Sequence, residues 1–400
     1  MLSRADFEAL DANDELASWR NTFQLPDDGI YLDGNSLGAP PKAAMLVLDE
    51  VVRAQWGSDL ITSWGKHEWM SLPQRVGGKI AGLIGAQPDE VIVADSTSIN
   101  LFKLAAAAVA MRPGRSVVLS EAGNFPTDLY VLEGLANFLG NGIELRTVPQ
   151  SEFEAAINED VALILLTHVN YRSGEVHDMA AITERTHRAG ALVIWDLSHS
   201  AGAVELDLNA CGVDFAVGCG YKFLNGGPGA PAFLYVAKAL QDDVQPVLSG
   251  WMGHAAPFDF SDAYRPGEGM KRNLTGTPPV VALRLLEAGV DSIRQADIRL
   301  VSGKARRLGD LFLQRVDEAC ADYEFELGCP RDSTRRGAQV SLRHAQGERI
   351  TRELIANGVT GDFRPPDVLR FGLAPLYTRY VDVYDATQLI AEIMAENFGY

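Results

Sequence analysis

One lysine in this chain lies in a setting suited to covalent chemistry. Lys222 follows Tyr221 inside the run Gly-Cys-Gly-Tyr-Lys-Phe-Leu-Asn-Gly-Gly-Pro-Gly at 218–229, and short apolar runs flank that segment. Glycine tolerates positive φ and lets other groups approach the backbone, so the pattern predicts a lysine held in a tight turn between strands. A confined lysine can form a Schiff base with an aldehyde cofactor. The same pattern also fits a surface hairpin, and the upstream residues must decide between the two.

An aspartate upstream supplies that context. Asp196 directly follows the apolar run 191–195, and a carboxylate at the end of a buried strand needs a partner or a raised pKa. The ordinary partner is a backbone N–H, and the alternative is the protonated nitrogen of a pyridine ring. A strand-end Asp followed 26 residues later by a lysine in a glycine turn is the arrangement that pyridoxal 5'-phosphate (PLP) requires. His199, three residues after Asp196, can stack on or bond to the cofactor ring.

A helix start suited to an anion occurs earlier in the chain. The run Asp-Ser-Thr-Ser at 95–98 separates a short apolar segment from the helical pattern at 101–110. Small hydroxyl residues such as Thr97 and Ser98 are ordinary at the start of a helix. They also suit a phosphate group, because free backbone N–H groups and the positive end of the helix dipole favour an anion.

The elements that must position these residues alternate from about residue 90 onward. Strands are predicted at 91–94, 116–120, 143–148, 162–166, 191–195, 215–217 and 232–236, with helices such as 127–139 and 178–188 between them. This rhythm predicts an α/β fold with a mostly parallel sheet and helices on both faces. Ligands bind beyond the carboxyl ends of the strands in such sheets, which is where Thr167 and Asp196 occur.

Composition narrows the class of protein. A chain of 400 residues predicts about two domains, and 47% hydrophobic and 22% charged residues are typical of a soluble enzyme. The net charge of −18 argues against a nucleic-acid partner. No apolar run reaches the roughly 20 residues of a membrane span, and the polar start at 1–8 does not resemble a signal peptide. The four cysteines lack metal-binding or disulfide spacing, so we expect reduced thiols, no metal site and a cytoplasmic protein.

Together these motifs resemble the kynureninases, which are fold-type I PLP enzymes of the aminotransferase class V group. The resemblance covers nearly the whole chain. Its most specific segments are Gly-Asn-Ser-Leu-Gly at 34–38, Phe-Pro-Thr-Asp at 125–128, Trp-Asp-Leu-Ser-His at 195–199, Tyr-Lys at 221–222, Ser-Gly-Trp at 249–251 and the run 370–377. The resemblance implies a large domain with a mostly parallel seven-stranded sheet, a smaller α/β domain, and a homodimer with active sites at the interface.

The resemblance also implies roles in binding PLP. Lys222 would bind the cofactor as a Schiff base, Asp196 would pair with the pyridinium nitrogen, and Phe125 would stack on the ring. The remaining cofactor-site residues in this assignment are Thr97, Ser98, Tyr221, Trp251 and Thr277 around the phosphate, with Asp128, Thr167 and His199. Thr277 matches a position where some family members have asparagine.

For the substrate, Arg370 matches the arginine that binds the α-carboxylate, a task suited to a planar bidentate donor. The other candidates for the substrate pocket are Asn35, Ser36, Trp64 and His254. Turn formation explains Asn35 and Ser36 equally well, and packing explains Trp64 and His254. We expect Trp64 and the segment 251–254 to lie near the dimer interface.

The implied reaction is the hydrolysis of L-kynurenine, or 3-hydroxy-L-kynurenine, to anthranilate or 3-hydroxyanthranilate and L-alanine, in tryptophan degradation or NAD synthesis. Lys222 would act as the base that removes the α-proton. Tyr221, next to it, would be the proton relay, since a phenol both donates and accepts.

Two other interpretations stay open at this point. A cysteine desulfurase or selenocysteine lyase of the same fold typically has His before the lysine, where this chain has Tyr221, and a nucleophilic Cys on a C-terminal loop. Cys320 continues a helical pattern, and Cys329 precedes Pro330 without that family's cysteine motif. A PLP-fold protein without catalytic activity fits poorly, because both Asp196 and Lys222 are present.

The predicted domains are an N-terminal segment, 1–50, that joins the small domain, a large PLP-binding domain, 51–285, and a small domain, 286–400. Arg370 belongs to the small domain in this scheme. It must reach a cofactor on the large domain, which implies closure over the substrate.

Overall fold

The computed structural model describes residues 2–140 and 142–398. The strands are β1 Ile30–Tyr31, β2 Val91–Val93, β3 Val117–Glu121, β4 Glu144–Val148, β5 Val161–Thr167, β6 Leu192–Asp196, β7 Phe215–Gly218, β8 Phe233–Val236, β9 Glu326–Leu327, β10 Gln339–Arg343, β11 Val359–Thr360, β12 Asp362–Arg364 and β13 Val368–Gly372. The α-helices are α1 Arg4–Ala12, α2 Lys42–Asp49, α3 Ser63–Lys66, α4 Leu72–Ala81, α5 Thr97–Ala110, α6 Pro126–Leu139, α7 Gln150–Ala156, α8 Met179–Arg188, α9 Val280–Arg294, α10 Ile298–Ala319, α11 Gly347–Ala356 and α12 Tyr380–Phe398.

The main sheet has seven strands in the order β2-β8-β7-β6-β5-β3-β4. Strand β8 is antiparallel to both of its neighbours, and the other pairs are parallel. The predicted α/β fold with a mostly parallel seven-stranded sheet is therefore confirmed. Strand order and direction bring the carboxyl ends of β3, β5, β6 and β7 to one edge of the sheet, which is the edge where the candidate site lies.

Both faces of this sheet are buried. Along β5 the side chains alternate between two hydrophobic cores: Ile164 and Leu166 pack in one, Leu163 and Leu165 in the other. A strand covered on both faces reads as a continuous apolar run, which is why β5 to β8 were visible in the sequence. The helices that cover the two faces hold the sheet, and hence its carboxyl edge, rigid.

A second sheet, β12-β13-β10-β9, is antiparallel and belongs to a third hydrophobic core. The N-terminal segment joins this part of the molecule, since Phe7 and Leu32 lie in that core and β1 pairs in parallel with β11. The register of β12 and β13 places Asp362 directly opposite Arg370.

Several predicted elements differ in detail. The sequence pattern at 5–21 predicts one helix. That helix is interrupted, because the Asp14 carboxylate accepts from the backbone N–H of Leu16 at 2.9 Å and so competes with the helical hydrogen bonds. The chain resumes as a 3₁₀ helix at Ala17–Thr22. The sequence predicts that the helix following Pro40 and Pro41 ends near Trp56, but it continues as a π-helix, Glu50–Asp59. The sequence around Trp64 predicts a loop, but Trp64 lies on the one-turn helix α3.

Candidate active site

Two strand ends place polar side chains beside each other at the carboxyl edge. Thr167 ends β5 and Asp196 ends β6, and the two residues are register partners. Asp196 is buried, and its Oδ1 accepts from the backbone N–H of Ser198 at 2.8 Å. Burial raises the pKa of Asp196, while the Ser198 hydrogen bond and the charge of Lys222 oppose that shift. A buried carboxylate with such an incomplete set of partners is suited to a protonated ligand nitrogen.

Lys222 follows β7, and its side chain lies at the same carboxyl edge of the sheet. Its Nζ lies 2.9 Å from Nε2 of His199 and 5.9 Å from the centroid of the Phe125 ring. Burial, reinforced by the charge of Lys222, lowers the pKa of His199 well below its usual 6.5. The neutral imidazole therefore accepts a hydrogen bond from the lysine ammonium. Residues that are distant in sequence thus form one cluster of a lysine, a histidine, a carboxylate and an aromatic ring.

The N-terminal glycine motif packs against the lysine turn. The backbone N–H of Gly38 donates to the carbonyl oxygen of Tyr221 at 2.8 Å. A Cβ atom at Gly38 would lie 2.2 Å from the carbonyl oxygen of Lys222 and 2.2 Å from the side chain of Asn225. No side chain fits at this position, so glycine at residue 38 is a requirement of the close approach. The motif at 34–38 and the lysine turn are parts of one site.

A second buried carboxyl group lies behind this cluster. Asp128, in the first turn of α6, is 1% exposed, and burial together with the nearby Asp196 raises its pKa well above the usual 3.8. Its Oδ2 accepts from Nδ2 of Asn124 at 3.1 Å, and Oδ1 of Asn124 accepts from the backbone N–H of Thr167 at 2.8 Å. Sequence analysis missed Asn124, although its position just after β3, at the carboxyl edge, was the available signal.

The predicted phosphate anchor is the start of α5. Ser96 is the N-cap, with its Oγ 3.4 Å from the backbone N–H of Ile99, and Thr97 and Ser98 form the first turn. Asp95, just before the cap, has φ +49°. Its carboxylate binds the buried ammonium of Lys103, with Nζ to Oδ2 at 2.8 Å. This ion pair fixes the turn that presents the helix start, and sequence analysis did not identify it.

The carboxyl group of Asp95 also connects this turn to a distant loop. The hydroxyl of Thr275 donates to Asp95 Oδ2 at 3.0 Å, and Lys103 Nζ donates to the carbonyl oxygen of Asn273 at 2.7 Å. The loop held in this way continues into Thr277, a predicted phosphate residue whose side chain is exposed.

Arg370 and Ser36, two residues predicted for the substrate pocket, contact each other. The guanidinium of Arg370 is 1% exposed, and its Nη2 donates to Oγ of Ser36 at 2.8 Å. Its other partners are the carboxylate of Asp362 and the carbonyl oxygen of Tyr171, whose ring stacks edge-on against Phe125 at 5.2 Å. Asn35 is also fully buried. Its amide packs so closely against Gly372 that a Cβ atom at residue 372 would lie 2.0 Å from it.

Three predicted site residues have their described contacts outside this cluster. Trp64 packs edge-on against Trp69 at 5.6 Å. Trp251 is 43% exposed and contacts Phe258, while His254 accepts at Nδ1 from the backbone N–H of Ala256 at 3.0 Å. Their assignment to the cofactor or the substrate, like that of Thr277, therefore stays a prediction.

The buried polar atoms of the cluster fit PLP. Oγ1 of Thr167 is buried and has no hydrogen-bond partner among residues 2–140 and 142–398, as expected where a polar ligand supplies the partner. A buried carboxylate, an amine beside an aromatic ring, and a helix N-terminus match the pyridine nitrogen, the aldehyde and the phosphate of PLP. In the described part of the chain, no group of three His, Cys, Asp or Glu side chains could hold a metal ion.

A cavity of about 750 Å³ lies next to this cluster rather than at it. It is lined by residues of the loops after β3 and β5, including Asn124 and Tyr171, and by Asp367 between β12 and β13. Lys222 does not line it. No helix that the structure describes combines the length and apolarity needed to cross a membrane.

Comparison with known proteins identifies the family of this chain. The sequence model described as "Kynureninase C-terminal domain" matches residues 301–390. The chain is 47% identical to a kynureninase of Pseudomonas fluorescens, covering 98% of this chain and 96% of that protein. It is 48% identical to a kynureninase of Deinococcus radiodurans, covering 100% and 98%.

Solved structures extend the likeness in fold. A cysteine desulfurase from Thermococcus onnurineus NA1 superposes with a TM-score of 0.81 at 20% identity, covering 95% of this chain and 98% of that one. One from Escherichia coli has a TM-score of 0.80 at 20% identity, covering 96% and 98%. At this identity the structures share the fold alone, whereas the sequence relatives decide the family. The chain belongs to the kynureninase family.

Proposed function

We propose that this chain catalyses the PLP-dependent hydrolysis of L-kynurenine to anthranilate and L-alanine. The observation that carries the proposal is the cluster at the carboxyl edge of the sheet, where Lys222, preceded by Tyr221, meets His199 and the buried Asp196. Relatives that are 47% and 48% identical over nearly the whole chain bear the name of this activity. Whether 3-hydroxy-L-kynurenine is also a substrate depends on the pocket around one hydroxyl group.

The cofactor would be held by residues with distinct tasks. Lys222 would bind its aldehyde carbon, Asp196 its ring nitrogen, and Phe125 one face of the ring. The other proposed contacts are Thr97, Ser98, Tyr221, Trp251 and Thr277 for the phosphate, with Asp128, Thr167 and His199 around the ring. When bound, PLP supplies an electron-accepting ring that stabilises negative charge on the substrate carbons next to the amino group.

Proton transfer would fall to two neighbouring side chains. Lys222 Nζ would take the α-proton of the substrate, and the neutral His199, 2.9 Å away, can accept a hydrogen bond from the amine without adding a positive charge. Burial raises the pKa of Tyr221, so its phenol stays protonated at neutral pH and can donate. We assign Tyr221 the relay that delivers a proton to the alanine carbon once the Cβ–Cγ bond has broken.

Substrate binding would depend on Arg370, which we assign to the α-carboxylate. Asn35 and Ser36, packed beside it, together with Trp64 and His254, would form the rest of the substrate pocket. In the hydrolysis itself, water adds to the γ-carbonyl carbon, and the bond to the β-carbon breaks as the anthranilate carboxyl group forms.

Sulfur transfer is not favoured as a second function. Cys320 and Cys329 are buried in the third hydrophobic core. Burial raises the pKa of Cys320 to about 11 and also raises that of Cys329. A nucleophilic cysteine needs a lowered pKa and access to the substrate, and neither thiol has these properties.

We also propose that the protein is a homodimer. Large apolar side chains are exposed on two segments, namely Met45, Leu46, Trp56, Leu60 and Ile61, and Val247, Leu248, Trp251, Phe258 and Phe260. An exposed apolar surface of this extent is typical of a protein interface. A partner chain covering the segment 247–260 would bring Trp251 and His254 into an enclosed environment.

The domain scheme and the cellular location are proposals of the same kind. Pairing of β1 with β11 supports the assignment of residues 1–50 to the small domain, 286–400. A boundary of the large domain, 51–285, at residue 285 falls inside α9, so the loop at 295–297 is a better position for it. All four cysteines are free thiols, which suits the reducing cytoplasm.

The test is a product assay with the PLP-loaded protein. L-kynurenine should yield anthranilate and alanine in equal amounts, and 3-hydroxy-L-kynurenine serves as the alternative substrate. L-cysteine serves as the control, with no sulfide expected. Sulfide release without anthranilate would refute the proposed function.

A further inference from the structure

Arg370 is held by a carboxylate on the neighbouring strand. Its Nε donates to Oδ1 of Asp362 at 2.8 Å and its Nη2 donates to Oδ2 at 2.5 Å, a bidentate pair across β12 and β13. We propose that Asp362 is a positioning residue that fixes the Arg370 guanidinium for the substrate α-carboxylate. This inference rests on the proposed function, in which Arg370 binds that carboxylate.

The hydrogen bonds of Arg370 identify the edge on which the substrate would bind. A guanidinium has five N–H donors. Asp362 takes two of them, Ser36 Oγ takes one from Nη2, and the carbonyl oxygen of Tyr171 takes one from Nη1 at 2.6 Å. One N–H of Nη1 therefore has no partner among the described residues.

The two edges of the guanidinium thus have different tasks. Asp362 occupies the edge formed by Nε and Nη2, so a second carboxylate would bind along the edge formed by Nη1 and Nη2. On that edge one N–H of Nη1 has no partner among the described residues, and the N–H of Nη2 bonds to Ser36 Oγ. Ser36 Oγ, 2.8 Å from Nη2, marks the position that one oxygen of that carboxylate would take. The Ser36 hydroxyl itself donates to Oδ2 of Asp362 at 3.0 Å, so Asp362 orients both Arg370 and Ser36.

The negative charge of Asp362, taken alone, would weaken the binding of the substrate carboxylate. Its carboxylate repels the carboxylate of the substrate and offsets the positive charge of Arg370 and of Arg364, whose Nη2 lies 2.8 Å from Asp362 Oδ2. The negative field is strong enough to contribute, after burial, to the raised pKa of Asp33, which is about 6. Removing the charge of Asp362 would therefore attract a substrate carboxylate more strongly, whereas releasing the guanidinium would weaken its binding. The two effects differ in sign and can be separated.

The experiment compares Asp362→Asn with Asp367→Asn in the PLP-loaded enzyme. Asp367 follows β12 in the turn before β13 and pairs with Arg343, so the control removes the same charge from the same hairpin without touching Arg370. The measurement is the ratio of kcat/KM for L-kynurenine to kcat/KM for its α-carboxamide. If Asp362 positions Arg370, the ratio falls about tenfold or more in Asp362→Asn, mainly through KM, because a displaced guanidinium loses its bidentate contact. In Asp367→Asn it should stay within about threefold of wild type.

A second variant is needed because Asp362→Asn could reduce the ratio only by destabilising the fold. Asp362→Glu keeps the charge but moves the carboxylate by one methylene, so the ratio should again fall if geometry decides. A ratio that is unchanged or higher in both Asp362 variants, with unchanged melting temperature and PLP absorbance, would overturn the inference.

The failure of the proposed function would give a different result. In that case the wild-type enzyme would not hydrolyse L-kynurenine at all. The role of Asp362 would then still be tested by the binding of L-alanine relative to L-alaninamide, followed through the visible absorbance of the bound cofactor. The same relative loss of carboxylate binding is expected, and equal ratios in wild type and both variants would refute it.

Discussion

The buried ion pair between Lys103 and Asp95 gives a quantitative prediction. The Lys103 side chain is 3% exposed, and burial lowers its pKa, so its charge depends on the Asp95 carboxylate 2.8 Å away and on the carbonyl oxygen of Asn273. Asp95→Asn removes the negative charge and leaves the ammonium buried. Asn also tolerates the φ of +49° at this position, so the substitution tests the charge rather than the backbone.

The expected loss of stability follows from how deeply the ion pair is buried. Removing one partner of a buried ion pair costs about 3–5 kcal/mol of unfolding free energy. Because the Asp95 side chain is 27% exposed, water compensates part of the loss, and we expect about 3 kcal/mol. Lys103→Met removes the buried charge itself and leaves Asp95 bonded to Thr275, so we expect only about 1–2 kcal/mol. The double variant should therefore be more stable than Asp95→Asn alone.

The assay is denaturant unfolding of the cofactor-free protein. Asp89→Asn, which breaks the exposed pair between Asp89 and Lys238, is the control and should change stability by less than about 1 kcal/mol. The dissociation constant of PLP provides a second measurement and should increase in Asp95→Asn, because Asp95 precedes the helix start at Thr97. A double variant less stable than Asp95→Asn, or Lys103→Met as damaging as Asp95→Asn, would refute the reasoning.

Three further predictions concern catalysis, pH and assembly. Tyr221→Phe should keep PLP but lower kcat about 100-fold, as measured by steady-state anthranilate release. Unchanged turnover would show that another group is the proton relay. The hydrogen bond that His187 donates to the carboxylate of Asp214 raises the pKa of His187 above 6.5, so this pair stabilises the protein most at low pH. The melting-temperature difference between wild type and His187→Gln should be largest below pH 6.5 and should vanish as pH rises through the raised pKa; a difference that grows with pH would contradict the assignment. Leu46→Asp combined with Trp56→Asp should yield monomers in sedimentation velocity, whereas persistent dimers would exclude this surface as the interface.

The sequence predicted the parts of the fold that depend on local pattern. Strands buried on both faces form long apolar runs, and the residues that follow them, such as Thr167 and Asp196, lie at the carboxyl edge by topology alone. The pairing of Arg370 with Asp362 was not predictable, because it depends on the register of a short strand with no apolar alternation. The buried role of Lys103 was not predictable for a different reason. Its ion pair with Asp95 is local, but its burial involves Asn273, which is 170 residues away in the chain.

The positions of Trp64, Trp251, His254 and Thr277 relative to the cofactor are not predictable from local sequence either. They lie in short helical or irregular segments, and their surroundings depend on packing against residues that are distant in sequence. Trp64 is an example, because the sequence around it predicts a loop, whereas it lies on a one-turn helix and packs against Trp69.

The most direct test of the central claim is to reduce the PLP-loaded protein with borohydride and to map the modified lysine by peptide mass spectrometry. Reduction makes the bond between the cofactor and its lysine permanent. We predict that the pyridoxyl phosphate mass is found on the peptide containing Tyr221 and Lys222, and that Lys222→Ala loses both this adduct and the visible absorbance of the bound cofactor. An adduct on another lysine, or full anthranilate production by Lys222→Ala, would contradict the account.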